Sequence, residues 1–214
     1  MRRHMRALVK NPAAWYTAVL ILAWPVESLL STDHLDRLME WSSTNLANLH
    51  PSGHPLLALV VSAFVPQDSP GVWPVLALSL FTVMSTLGAW RGVAFLASVH
   101  IGVTLATEGL VWWRIHHGTL PLSEEHTLDT GPSYLVVAAM VVAIGRARPR
   151  WLRAVWAIAL VLVAPSLLDG IDGGDYTAIG HVLAATSALA VVGVLRIREV
   201  RRIGYPVLSP QETA

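Results

Sequence analysis

Long apolar runs, broken by short clusters of charge, Gly and Pro, dominate the chain. A helix crossing a hydrocarbon core of roughly 30 Å needs about 20 apolar residues, each rising about 1.5 Å. Five runs approach that length: Ala13–Leu30, Val72–Ala89, Val93–Trp113, Trp151–Leu168 and Tyr176–Leu195. Two are shorter, His54–Val65 and Pro132–Ile144. The basic residues decide the threading, because short cytoplasmic loops collect Lys and Arg. Arg2, Arg3, Arg6 and Lys10 precede the first run, and Arg91 separates the second and third long runs. Arg146, Arg148, Arg150 and Arg153 follow Ile144, and Arg196, Arg198, Arg201 and Arg202 follow the last run. All of these share one side if Pro132–Ile144 crosses the bilayer and His54–Val65 does not, leaving only Arg37 and Arg114 opposite. The pattern predicts an all-α integral membrane protein of six transmembrane helices with both ends cytoplasmic. His54–Val65 becomes a half-inserted or interfacial helix on the outer side. Residues 1–203 form one membrane domain, and 204–214 a short polar cytoplasmic tail.

Composition fits this reading. Hydrophobic residues make up 54% of the 214 and charged residues 14%, where a soluble domain carries about 25% charge. A net charge of +1 gives no footprint for nucleic acid. The absence of cysteine excludes disulfides, thiolate metal sites and cysteine catalysis. Trp15, Trp24, Trp41, Trp73, Trp90, Trp112, Trp113 and Trp151 cluster near the run ends, as an aromatic belt does.

The fourth crossing, Pro132–Ile144, carries the candidate chemistry. It is roughly 20 Å long as a helix, and Arg146 and Arg148 fix its inner end. Its outer end then stops below the outer surface, with Asp129 to Ser133 in non-helical backbone at membrane depth. Such backbone is tolerated only when it is buried in protein or lines a wet cavity. Pro132 suits a first helical position, and Gly131 permits unusual dihedrals before it. Ser133 thus lies at a sunken helix N-terminus, where free N–H groups and the positive dipole end suit an oxyanion. The plain alternative is an ordinary N-terminal serine.

His181 lies in the outer part of the sixth crossing. An ionisable residue inside a span is costly and marks function by default. A serine and a histidine at one depth on different helices make a nucleophile–base pair. The alternative for His181 is a structural hydrogen bond between helices. Ala184 and Ala188 continue its face with small-residue spacing, and Ala138 and Ala139 on the fourth crossing suit close approach.

At these residues the chain resembles the rhomboid family of intramembrane serine proteases, over roughly Asn45 to Val194. Gly131-Pro132-Ser133-Tyr134 resembles the GxSG nucleophile motif, and Gly180-His181 with Ala184 and Ala188 resembles the family's histidine and small-residue stripe. His54-Pro55-Leu56-Leu57 through Ser62-Ala63-Phe64-Val65 resembles the segment leading into the second helix. The resemblance implies Ser133 as nucleophile, His181 as base and then acid, no cofactor, and transmembrane protein clients cleaved near the outer face. A bacterial plasma membrane is the expected location. Several positions depart from the family pattern. Tyr134 replaces the last glycine, and the usual oxyanion-supporting His and Asn of the second helix fall near Val75 and Ser79. Gly131 and Ser79 remain as candidate support. The family's glutamate falls near Arg91, and the WR motif of the outer loop is missing. A catalytically silent protein that holds transmembrane clients without cutting them is the rival reading. A small transporter is a third, without an inverted repeat to support it.

Other polar groups suggest less. His116, His117, Glu124, Glu125 and His126 read as a solvated loop, and Pro51, Ser52 and Gly53 separate His50 from His54. No metal site is expected. His100 reads as an interhelical hydrogen bond, and Glu108 as a carboxylate reaching for the outer surface. Asn45 and Asn48 are candidate oxyanion donors in the outer loop.

Overall fold

Asn11 begins the first helix. Its side chain accepts the Ala13 N–H at 3.0 Å, and Pro12 takes the first helical position, where a missing N–H is no loss. The structure is a computed structural model that describes residues 10–66 and 71–204, with side chains to 201. The basic residues at 2, 3 and 6 and the polar tail beyond 204 lie outside the described residues. Helix α1 spans Pro12–Leu29. Three short helices follow at the same end of the bundle, here the upper end: α2 (Thr32–Ser42), α3 (Leu46–Leu49) and α4 (Pro55–Val61), the last continuing as a 3₁₀ turn over Ser62–Phe64.

The second apolar run is helical but not uniform. It divides into α5 (Trp73–Leu76), a 3₁₀ turn (Ala77–Ser79) and α6 (Leu80–Leu87). Ser79 donates to the Leu76 carbonyl at 2.8 Å, the local side-chain competition that tightens a helix. Gly88, at φ +85°, turns the chain directly into α7 (Ala89–His116). Then come α8 (Ser133–Arg146), α9 (Trp151–Leu167) and α10 (Tyr176–Gly204). No strand occurs among the described residues. Two helices, Ala89–His116 and Tyr176–Arg201, are long and apolar enough to cross a membrane. Pro55–Phe64, Trp73–Leu87, Ser133–Arg146 and Trp151–Leu167 are shorter apolar helices.

Helix α8 is the centre of the bundle, with α6, α7, α9 and α10 packed around it. Every residue from Tyr134 to Ala143 is buried. A helix apolar all round belongs inside a bundle. Ala138, Ala139, Ala184 and Ala188 have no exposed surface. At Gly145 a Cβ would stand 2.7 Å from Val192 Cγ1, so α8 and α10 approach as closely as small residues allow. At the lower end the Arg146 guanidinium grips the Glu199 carboxylate with both arms, Nη1 to Oε2 at 2.8 Å and Nη2 to Oε1.

The upper end of α8 is held by the chain that precedes it. Thr44 donates its N–H to the Asp129 carbonyl at 2.8 Å, and its hydroxyl donates to that carbonyl at 3.0 Å and to the Asp129 carboxylate at 3.2 Å. The Asp129 N–H donates to Ser43 Oγ at 2.9 Å. Two residues on, the Gly131 N–H donates to the Ser62 carbonyl at 2.8 Å. Gly131 holds φ +118°, a conformation that side chains disfavour, and Pro132 then leads into α8.

Gly131→Ala is expected to destabilise the protein by about 1–3 kcal/mol through backbone strain. Gly193→Ala, in open space on α10, should leave the midpoint of thermal unfolding in detergent unchanged or slightly raised. Equal midpoints for the two variants would contradict the strained turn.

Candidate functional site

Ser133 is the first residue of α8, half-buried, with Pro132 before it in the capping position at φ −78° and ψ 2°. Pro132 therefore stands one position earlier than a first helical residue. The Val136 N–H closes on the Pro132 carbonyl at 2.9 Å. The N–H groups of a first turn have no partner within their helix. No hydrogen bond to the Ser133 hydroxyl occurs among the described residues.

His181 sits one and a half turns into α10 and is 6% exposed. Its Nδ1 lies 2.6 Å from the Leu167 carbonyl, the last residue of α9. Helix ends leave carbonyls without intrahelical donors, and this one takes a histidine. A carbonyl only accepts, so Nδ1 carries the hydrogen and the neutral ring keeps its lone pair on Nε2. His181 Nε2 is buried with no hydrogen-bond partner among the described residues.

Between these two helices stands Tyr134. Its ring meets His181 edge-on, with centroids 5.3 Å apart. A Cβ at Gly180 would lie 2.5 to 2.7 Å from Tyr134 Cε1, Cζ and the hydroxyl oxygen, so the missing side chain at 180 is the seat of the phenol. The Tyr134 hydroxyl is also buried, within reach of the Thr107 side chain. The structure thus brings the residue after Ser133 into contact with His181. No hydrogen bond joins Ser133 itself to His181.

The remaining candidates are engaged elsewhere. Gly131 gives its N–H to Ser62, and the buried Ser79 gives its hydroxyl to Leu76 within its own helix. Val75 is 60% exposed and turns away from the core. Asn45 caps α3 by accepting the Asn48 N–H at 3.0 Å, and Asn48 donates to the Glu40 and Ser43 carbonyls. His100 makes an interhelical bond, Nε2 to the Leu59 carbonyl at 3.0 Å, with Ser62 Oγ at 3.2 Å. Glu108 does not reach the surface. It is 3% exposed, because its position on α7 faces the bundle.

A family model described as rhomboid-like protein matches residues 8–201. The chain belongs to the rhomboid-like family. No curated protein matches it, and no solved structure does. With its apolar helices, membership makes it a membrane protein of protease-like fold. Two features of this rhomboid-like protein escape a reading of motifs. One is the Asp129 clamp, signalled only by a lone acid two residues before Gly131. The other is the seating of Tyr134 on Gly180, for which the signal is an added ring on one helix and a missing side chain on its neighbour.

Asp129 is 7% exposed and lies in the loop before α8. Burial pushes its carboxyl up from 3.8 to about 6; the Thr44 hydrogen bond opposes the rise and the Asp175 charge adds to it. The folded state therefore favours the protonated acid. Stability from this group is present in acid and is lost as the pH climbs from about 4 through 6, by at most about 3 kcal/mol. Asp129→Asn keeps an acceptor for Thr44 and removes the titration. Its unfolding midpoint should gain on the wild type between pH 4 and 7, and parallel profiles would refute the assignment.

Proposed function

We propose that the chain is an intramembrane serine protease of the bacterial plasma membrane, with six crossings, both ends cytoplasmic, and a Ser133–His181 dyad facing the outer side. The observation that carries this reading is the state of His181. Its Nδ1–H is fixed on the Leu167 carbonyl and its Nε2 is left without a partner, on a helix that touches the residue beside Ser133. That is how a general base is oriented.

In this reading a client transmembrane segment unwinds into the upper end of the bundle. Ser133 Oγ attacks the scissile carbonyl as its proton passes to His181 Nε2. The imidazolium keeps its Nδ1–H on Leu167. The first-turn N–H groups of α8 receive the oxyanion, since Gly131 and Ser79 already donate elsewhere. His181 returns the proton to the leaving amine. Water, activated by the same nitrogen, then releases the acyl group from Ser133. The step requires the serine hydroxyl and Nε2 to close to hydrogen-bond distance, a tightening that catalytic pairs undergo on binding substrate.

A second reading has its own observation. Tyr134 fills the space over Gly180 against His181, where the family's motif carries a glycine. If that seat is permanent, the protein holds transmembrane clients without cutting them.

A fluorophosphonate probe separates the two. For the protease, wild-type protein in detergent labels, Ser133→Ala does not, and His181→Ala loses at least about 10³-fold in labelling rate. Cleavage of a helix-destabilised model substrate follows the same order. Absence of both labelling and cleavage in the wild type, with labelling gained by Tyr134→Gly, favours the holding reading. Labelling that survives in Ser133→Ala removes Ser133 as nucleophile.

A further inference from the structure

A cavity of about 640 Å³ opens between α1, α4, α6 and α7, on the side of the bundle away from α10. Along α7 it runs from Val93 to Ile101, roughly 12 Å at the helical rise. Its walls are almost wholly apolar, with Tyr16, Phe64, Met84 and Leu96 among them. The exceptions are the buried His100 and Lys10, the sole lysine of the chain, which stands exposed at the lower end beside the start of α1. We propose that this groove binds one anionic phospholipid, with an acyl chain laid along α7 and the headgroup phosphate on Lys10.

Shape and charge select that occupant. The groove is long and narrow. An apolar helix of a client or of a second copy would leave Lys10 at the lower end without an anion. A compact polar ligand meets only His100 and Lys10 along walls that are otherwise apolar. An acyl chain matches both, and its headgroup meets the cation at the one charged end.

The occupant touches the support of Ser133. Leu135, two residues into α8 from that serine, lines the groove, and so does His100. His100 holds the Leu59 carbonyl and Ser62 Oγ, and the Ser62 carbonyl takes the Gly131 N–H. A bound chain thus braces the turn that starts α8. The inference needs a membrane protein, not a working dyad, so its test reads lipid retention rather than proteolysis.

The experiment is native mass spectrometry of the full chain released from nanodiscs of equal dioleoyl phosphatidylglycerol and dioleoyl phosphatidylcholine, with thermal unfolding of the same samples. Wild type should retain one phosphatidylglycerol in about fivefold preference, the size one cation gives at an anionic surface. Lys10→Gln should erase the preference, and Ala97→Trp, which fills the groove, should erase retention and the lipid-dependent rise in unfolding temperature. Leu162→Trp, exposed on α9, is the control and should retain lipid as wild type does. Lack of preference in the wild type, or retention unchanged in Ala97→Trp, overturns the proposal. So does a dimer that Ala97→Trp dissolves, since a second copy would then fill the groove. Should Ala97→Trp not fold, Lys10→Gln alone decides.

Discussion

A non-helical loop is pinned inside the bundle by backbone hydrogen bonds, and the position of Ser133 follows from that. Asp129 offers its N–H, carbonyl and carboxylate, and Ser43 and Thr44 meet all three. Gly131 adds its N–H to Ser62. In water each bond adds only about 1 kcal/mol net, but an unmet buried group costs about 1–3 kcal/mol, and more in lipid. The bonds therefore act less as glue than as permission. They let non-helical backbone sit buried inside the bundle, and so let α8 begin as late as Ser133. The same bonds explain why α2, α3 and α4 are folded against the upper end, for two of the partners come from the segments that join them.

The large features of the fold are legible as hydropathy. Runs expected at Ala13–Leu30, Trp151–Leu168 and Tyr176–Leu195 fold as helices over Pro12–Leu29, Trp151–Leu167 and Tyr176–Gly204. The long run over Val93–Trp113 extends at both ends, because Arg91 and Arg114 continue a helix once its apolar middle is set. What hydropathy hides is local. Helix α2 has an apolar edge, with Met39 buried, among acids that mask it in any average. The 3₁₀ turn at Ala77–Ser79 depends on a side-chain bond that apolar content does not encode.

The candidate site is read in the sequence as residues, without its geometry. Ser133 and His181 stand out because a hydroxyl at a sunken helix start and an imidazole within a span are both expensive. Their neighbours decide what the pair does, and those are read only in three dimensions. The Leu167 carbonyl that orients His181 is an unremarkable backbone atom in sequence. Tyr134 is conspicuous as a departure from glycine, yet its partner is the empty position at Gly180 on another helix.

Tyr134 and Gly180 also make the two halves of the site interdependent. The phenol lies against the imidazole and in the seat of a missing side chain, so it cannot move without unpacking α8 from α10 at that level. Lower down, Gly145 against Val192 and the Arg146–Glu199 pair hold those helices together. The upper end differs, for there the contact includes a buried polar atom without a partner among the described residues, His181 Nε2. Buried polar atoms without partners weaken the packing that buries them. A peptide backbone placed there would have an N–H to offer His181 Nε2. Whatever chemistry follows, the part of the α8–α10 contact nearest Ser133 is the part with most to gain from a polar guest.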